Sequence, residues 1–241
     1  SERLGLLITF QDLTDIKTLE GELKRADRLA AVGRLASGLA HEIRNPLASI
    51  SGSVQLLLED EKVRDEDRHL MEIVIKEADR LSALLSDFLN FARPAPLQLE
   101  SVDLVAMLDE MIALLSASGQ FNNVTVDKAY HGPVTMTADP QKMYQVLWNL
   151  LINAGEAVQP AGEIRVEIVE EKGEIIIEDS GPGIAEEDRD KLFEPFFTTK
   201  GKGTGLGLAN VYANIEAHGG NIFAERSKLG GARFTISLPR D

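Results

Sequence analysis

Cysteine is absent from the 241 residues, which excludes disulfides, zinc–thiolate sites and a cysteine nucleophile and fits a reducing compartment. Also missing is any apolar run near the roughly 20 residues that span a bilayer. No signal-peptide pattern opens the chain at Ser1. A cytoplasmic location is the expectation for these residues, with membrane tethering of a longer protein left open. Basic residues are scarce, 25 Lys and Arg against 39 Asp and Glu, for a formal net charge of −14. Non-specific nucleic-acid binding relies on clustered cations, so nucleic acid is not an expected partner, and any polyanion has to be held by a local basic or backbone-amide site. What is present suffices for real cores. Hydrophobic residues make up 44% and charged residues 27%, which argues against wholesale disorder. The length suits one or two domains.

Residues 4–10, LGLLITF, read as a short apolar strand with no partner strand nearby. One strand cannot make a sheet, so residues 1–15 are expected to be the remnant of an upstream domain. From Ile16 the pattern turns helical, with apolar or small residues at Leu29, Val32, Ala36, Leu39, Ile43, Leu47, Ile50, Val54 and Leu57. Steps of three and four mark a bundle seam. The charged stretch EDEKVRDED (59–67) interrupts it, and a second seam runs through Leu70, Val74, Ala78, Leu81, Leu85, Phe88 and Phe91 until RPAP (93–96) stops the helix. This gives a helical hairpin over 16–96. Two antiparallel helices bury only one stripe each, so a homodimeric four-helix bundle is the economical arrangement. Packing of the hairpin on its own downstream domain is the alternative.

Beyond Pro96 the pattern is mixed. Helices are predicted at about 103–116, from Asp139–Pro140 onward, and near 208–218. Strands are predicted near 124–127, 134–137, 163–170, 174–179, 221–225 and 232–238. Asp139 suits an N-cap and Pro140 the first helical position. The expected fold over 97–241 is an α+β sandwich, one sheet with helices on one face. The chain as a whole is then multidomain, an all-α hairpin followed by that sandwich.

Three stretches of this second part carry more than fold. In NLLINAGEAV, Asn149 and Asn153 stand at i and i+4 on one helix face, where amides can bond phosphate oxygens, a magnesium ion or its waters; alone, two such residues are usually just surface. In EIIIEDSGPGI, Asp179 ends an apolar strand and Gly181 and Gly183 follow. A carboxylate there can accept a hydrogen bond from an adenine amino group, and a simple tight turn is a competing explanation. In TTKGKGTGLGLAN, Gly201, Gly203, Gly205 and Gly207 precede a helix. Bare N–H groups at a helix N-terminus hold anions, and Thr204, Lys200 and Lys202 supply further donors. The apolar Leu206 and Leu208 alternating with the glycines disfavour a flexible linker. The run is neither a Walker A loop nor a GxGxxG fingerprint.

In the hairpin, LAHEIRNPLAS (39–49) sets a proline inside a helix next to a histidine. With Ala36 and Ile43 at a and Leu39 at d, His41 falls at f and points to water. An accessible neutral imidazole is a competent nucleophile; an ordinary surface histidine is the alternative. Asn45, at i+4, shares its face and could position a water molecule. Pro46 withholds a hydrogen bond from the Glu42 carbonyl and so loosens this turn. A zinc-protease reading fails because HExxH needs histidine where Asn45 stands. His69, His131 and His218 belong to no motif and are assigned structural or surface roles.

Each stretch is moderately specific alone, but order and spacing are highly specific together. NLLINAGEAV, DSGPGI, FEPFF (193–197) and TTKGKGTGLGLAN resemble the N, G1, F and G2 boxes of the sensor histidine kinases, within the wider Bergerat-type ATP-binding superfamily. LAHEIRNPLASI resembles their phosphoacceptor box. The match covers about residues 25–239 and looks closest to the nitrogen-regulation and pilus-regulation type; LLITFQDLTDIKTLE resembles the last strand of a PAS sensor domain with its exit helix. The resemblance implies ATP-dependent phosphorylation of His41, proton acceptance by Glu42, and transfer to an aspartate of a response regulator. It implies dephosphorylation of that partner with Asn45 orienting water. It also implies an ATP site of Asn149, Asn153, Asp179, Gly181, Gly183, Lys200, Gly203, Thr204, Gly205, Leu206 and Gly207, with Mg2+ at Asn153. One position departs from the pattern, Glu156, where many related kinases carry a basic residue. A conformational ATPase of the same superfamily is the runner-up, but there a glutamate four residues before the metal-binding asparagine activates water, and here that position is Asn149. A catalytically dead scaffold would require degraded motifs, and none is degraded.

Overall fold

The structure, a computed structural model, describes residues 43, 45–58, 63–92, 96–119, 121, 123–200 and 204–239. The expected strand at 4–10, His41, Glu42 and Gly203 lie outside the described residues. The chain divides into two compact units, Ser1–Arg93 and Pro94–Asp241.

In the first unit, residues 45–58 form helix α1 and Asp65–Ala92 form α2. Asn45 and Pro46 are helical and exposed. The break falls inside the charged stretch, whose acidic and basic residues have no apolar stripe to bury. Arg64 pairs with Asp67 at the start of α2, and Arg68 Nη1 donates to the Leu58 carbonyl at 3.0 Å, so a side chain of α2 satisfies an orphan carbonyl at the end of α1. Of the predicted seam, Ala78 is buried, whereas Ile43, Ile50, Leu57, Leu70, Val74 and Leu81 are exposed.

The second unit runs β1 (Glu100–Asp103), α3 (Leu104–Ala117), β2 (Val124–Ala129), β3 (Thr135–Ala138), α4 (Pro140–Ala157), β4 (Gly162–Val169), β5 (Glu174–Asp179), α5 (Gly207–Ala217), β6 (Asn221–Arg226) and β7 (Ala232–Ser237). Two short 3-10 turns, Glu170–Lys172 and Glu186–Lys191, complete it. The main sheet has the order β2-β4-β5-β7-β6 and is antiparallel except for the parallel β2–β4 pair. Among the described residues, sequence patterning finds every α-helix and six of the seven strands; the short β1, pattern ESVD, has no apolar run to announce it. The segment near 134–137 does not join the main sheet. It pairs with β1 in a separate two-stranded ladder, a partnership that strand patterning cannot reveal.

Alternation puts Ile164 and Val166, Ile175 and Ile177, and Phe234 and Ile236 on one face of the sheet, where Leu108 and Met111 of α3, Leu147 and Leu150 of α4, and Val211 and Ile215 of α5 cover them. Helices α3 and α4 start where capping chemistry dictates. The Asp103 carboxylate accepts from Val105 and Ala106 N–H, and that of Asp139 from Gln141 and Lys142 N–H. Asp139 also accepts from Gln98 N–H at 2.9 Å. His218, at the end of α5, has the structural role expected of it. Its Nε2 accepts from Asp139 N–H at 3.0 Å while its Nδ1 lies 2.7 Å from the Asn214 carbonyl, tying the end of α5 to the start of α4.

Candidate functional site

β5 is the central strand of the main sheet and carries three consecutive isoleucines. It delivers Asp179 at its C-terminal end, where the residue is 3% exposed. One carboxylate oxygen, Oδ1, accepts from Gly181 N–H at 2.8 Å and from Ala232 N–H at 3.1 Å. Burial drives the Asp179 pKa above the usual carboxylate value, against the opposing pull of the Ala232 and Gly181 N–H groups and of the Lys200 charge. The carboxyl therefore gains from any further donor that prefers its ionised form. A backbone without side chains encloses it. A Cβ on Gly231 would strike the Asp179 carboxylate, and one on Gly181 would come within 2.7 Å of the Ala157 carbonyl. Gly183 takes φ +80°. Gly231 and Ala232 have no part in the motif reading; the Gly230–Gly231 doublet before β7 was the signal available for them.

α4 flanks this end of the sheet. A Cβ on Gly207 would lie 3.7 Å from Asn149 Oδ1, so Asn149 faces the start of α5. α3 and α4 each have an aspartate cap, but no described side chain caps the first turn of α5. Its leading N–H groups keep the anion-binding capacity of a bare helix end. Thr204 Oγ1 accepts from Leu206 N–H at 3.1 Å, and Leu206 itself is buried, so these two residues shape the turn. Gly205 has φ +67°, and a Cβ there would collide with the backbone of Phe196. Phe196 also takes a positive φ, 67°, which is unusual outside glycine, and its N–H donates to the Gly205 carbonyl at 2.9 Å. The FEPFF and GTGLGL stretches are thus joined at the base of a loop, and Phe193 stacks in tilted contact with Tyr212 of α5, centroids 5.6 Å apart.

That loop carries Lys200 back to α4. The ammonium donates to Asn153 Oδ1 at 3.1 Å and forms an ion pair with Glu156. An amide oxygen and a carboxylate oxygen are the hard ligands that Mg2+ takes. Their sharing of one positive charge shows that this donor set fits a cation. The predicted residues Asn149, Asn153, Asp179, Gly181, Gly183, Lys200, Thr204, Gly205, Leu206 and Gly207 all belong to this one unit, around the ends of β5 and α4 and the start of α5. Asn45 lies in the other unit.

Comparison with known proteins finds two family models along the chain. Residues 138–241 match the family model of the histidine kinase-, DNA gyrase B- and HSP90-like ATPases, and residues 31–96 match that of the His kinase A (phospho-acceptor) domain. The sensor histidine kinase ZraS of Escherichia coli K12 is 39% identical over 224 residues, covering 92% of this chain and 48% of that protein. The signal transduction histidine-protein kinase AtoS of the same organism is 38% identical over 242 residues, 99% of this chain and 40% of that protein. The chain thus spans about half the length of the curated relatives it matches. Among solved structures, full-length ShkA in complex with AMPPNP superposes with a TM-score of 0.72 at 29% identity, over 86% of this chain and 46% of that one. The catalytic domain of the histidine kinase ThkA superposes with a TM-score of 0.54 at 32% identity, over 60% of this chain and 97% of that one.

Proposed function

This chain belongs to the sensor histidine kinases of two-component systems, and on that premise we propose that it phosphorylates His41 from ATP and passes the phosphoryl group to an aspartate of a response regulator. The observation that carries the proposal is the convergence of Asp179, Asn149, Asn153 and the uncapped start of α5 at one end of the sheet. Asp179 accepts the adenine amino group; its raised pKa makes an added donor favourable. The amides of the α5 start and Lys200 bind phosphate oxygens, and Asn153 holds magnesium. When bound, the metal supplies charge neutralisation on the phosphates. Catalysis is then mainly positioning. One ring nitrogen of His41 bonds to the γ-phosphorus as the bond to the bridging oxygen breaks and ADP leaves. Glu42 takes the proton from the other ring nitrogen.

Two copies act together in this reading. The apolar stripe exposed on α1 and α2 needs a cover, and a second hairpin supplies one of matching periodicity. Asn45 is exposed on α1 and has no basic function, so its part is to orient water when the phosphorylated regulator is hydrolysed. The test is incubation with γ-labelled ATP. The parent should acquire acid-labile, alkali-stable label and His41→Gln none, with ATP affinity nearly unchanged. Acid-labile label persisting in the variant would refute the assignment. Glu42→Gln should cripple labelling, a general-base loss of about 10²–10⁴-fold, whereas Asn45→Ala should spare labelling and lose phosphatase activity. The reverse pattern would overturn that division of roles.

A further inference from the structure

Asn153 and Glu156 are three residues apart on α4 and so share a helix face. Both aim an oxygen at one point, and that point is filled by the Lys200 ammonium, which bonds Asn153 Oδ1 at 3.1 Å and the Glu156 carboxylate. A lysine head has no need of this particular pair. Its presence shows that two hard oxygens from one helix face a single cation, at the place where the nucleotide reading puts the metal. The lysine arrives on a loop, not on the scaffold. Both it and Glu156 are well exposed, and exposed ion pairs contribute little stability, so the ammonium can be exchanged without disturbing the core. Resting on the nucleotide function above, we propose that Glu156 is a metal-positioning residue. With Asn153 it presents the oxygen pair that receives the divalent cation of the metal–nucleotide, and Lys200 fills that pair until the cation arrives.

The sign of the charge at position 156 then has a consequence. A carboxylate beside the phosphate end repels metal-free ATP, which is a polyanion, and attracts the same nucleotide once a divalent cation bridges the two. A basic residue at this position would do the opposite. In this chain ATP affinity is therefore strongly conditional on the metal, and the displaced Lys200 is released to the phosphates.

The experiment is calorimetry of ATP binding to the 241-residue chain in excess Mg2+ and in EDTA, for the parent, Glu156→Gln, Glu156→Asp and Lys200→Met. The quantity read is the ratio of the two affinities. Glu156→Gln should lower the ratio roughly tenfold, the scale found when a residue supporting a metal site is removed, by weakening the metal-bound arm and sparing or tightening the metal-free arm. Glu156→Asp should restore part of it. Lys200→Met should weaken binding in both arms, the metal-free one because Glu156 is left without its counter-charge and the metal-bound one because the released ammonium no longer reaches the phosphates. An unchanged ratio in Glu156→Gln overturns the proposal, as does an equal loss in both arms, which would mark a role in the fold or in direct nucleotide contact. A parent chain that binds ATP in neither condition removes the nucleotide reading and this inference together; normal binding with an unaltered ratio removes only this one.

Discussion

Leu147 of α4 and Leu70 of α2 occupy equivalent places in amphipathic seams, yet Leu147 is fully buried and Leu70 is 61% exposed. The same contrast holds for the two units as wholes. Pro94–Asp241 gathers the apolar faces of three helices onto one face of a five-stranded sheet and leaves its outer face to pairs such as Arg233–Glu178 and Arg233–Glu225. Among its described residues the hairpin has two helices and no sheet, and Ile43, Ile50, Leu57, Leu70, Val74 and Leu81 of its seam are exposed. Hydrophobic burial is roughly proportional to the area removed from water, so the second unit completes itself, whereas the described helices of the first leave a stripe uncovered. A scaffold completed only by another molecule is suited to joining chains. One with its own core is suited to holding a small ligand in fixed geometry.

The most direct way to break this comparison is to put charge on the exposed seam. Leu70→Asp with Val74→Asp should convert a dimer to a monomer in sedimentation. A parent that sediments as a monomer at micromolar concentration would remove the premise. Next in size, Leu147→Ala should destabilise the second unit by about 2–5 kcal/mol in denaturant titration, with sedimentation unaltered. A loss below about 1 kcal/mol would show that the core is not as closely packed as its burial indicates.

The ligand side of the comparison is tested at Asp179. Asp179→Asn should cost ATP affinity about tenfold to a hundredfold, the equivalent of ~1.5–3 kcal/mol for a hydrogen bond to a charged group, read by calorimetry. Acid should do the same to the parent. The folded-state pKa of Asp179 is raised, mainly by burial. As pH falls through that raised value the carboxyl takes a proton and loses its acceptor, so ATP binding should weaken, and near that pH binding should release protons. In the free protein the linkage runs the other way, because an acid whose pKa is raised by folding favours the folded state most at low pH. Protonation therefore weakens the ligand complex without costing the fold at this residue, and affinity independent of pH would separate Asp179 from the adenine.

The smallest effect concerns Asp139. Burial raises its pKa, but N–H groups of Gln98, Lys142 and Gln141 and the neighbouring His218 more than offset that, and the net shift is downward. A depressed carboxyl contributes stability above its unfolded value of about 3.9 and loses it as pH falls through the folded value. Asp139→Ala should cost about 0.5–2 kcal/mol at neutral pH, the range for a lost N-cap, with the difference from the parent shrinking in acid. A difference that persists at low pH would show that capping is not the source.

The sequence by itself determined what depends on neighbours along the chain. The Asp139–Pro140 start of α4, the end of α2 before RPAP, the alternation of β7 and the order of the four motifs are local, because caps, proline geometry and side-chain period act within a few residues. Tertiary structure alone decided what joins distant segments. The pairing of Thr135–Ala138 with Glu100–Asp103 instead of the main sheet required a partner strand too short to have a pattern. The close approach of Gly231 and Ala232 to Asp179, the crossing of Phe196 and Gly205, and the seat of Lys200 between Asn153 and Glu156 bring together residues as many as 53 positions apart. Nothing local specifies such contacts; they form because burying the apolar faces of α3, α4 and α5 on one sheet leaves its loops a single place to meet.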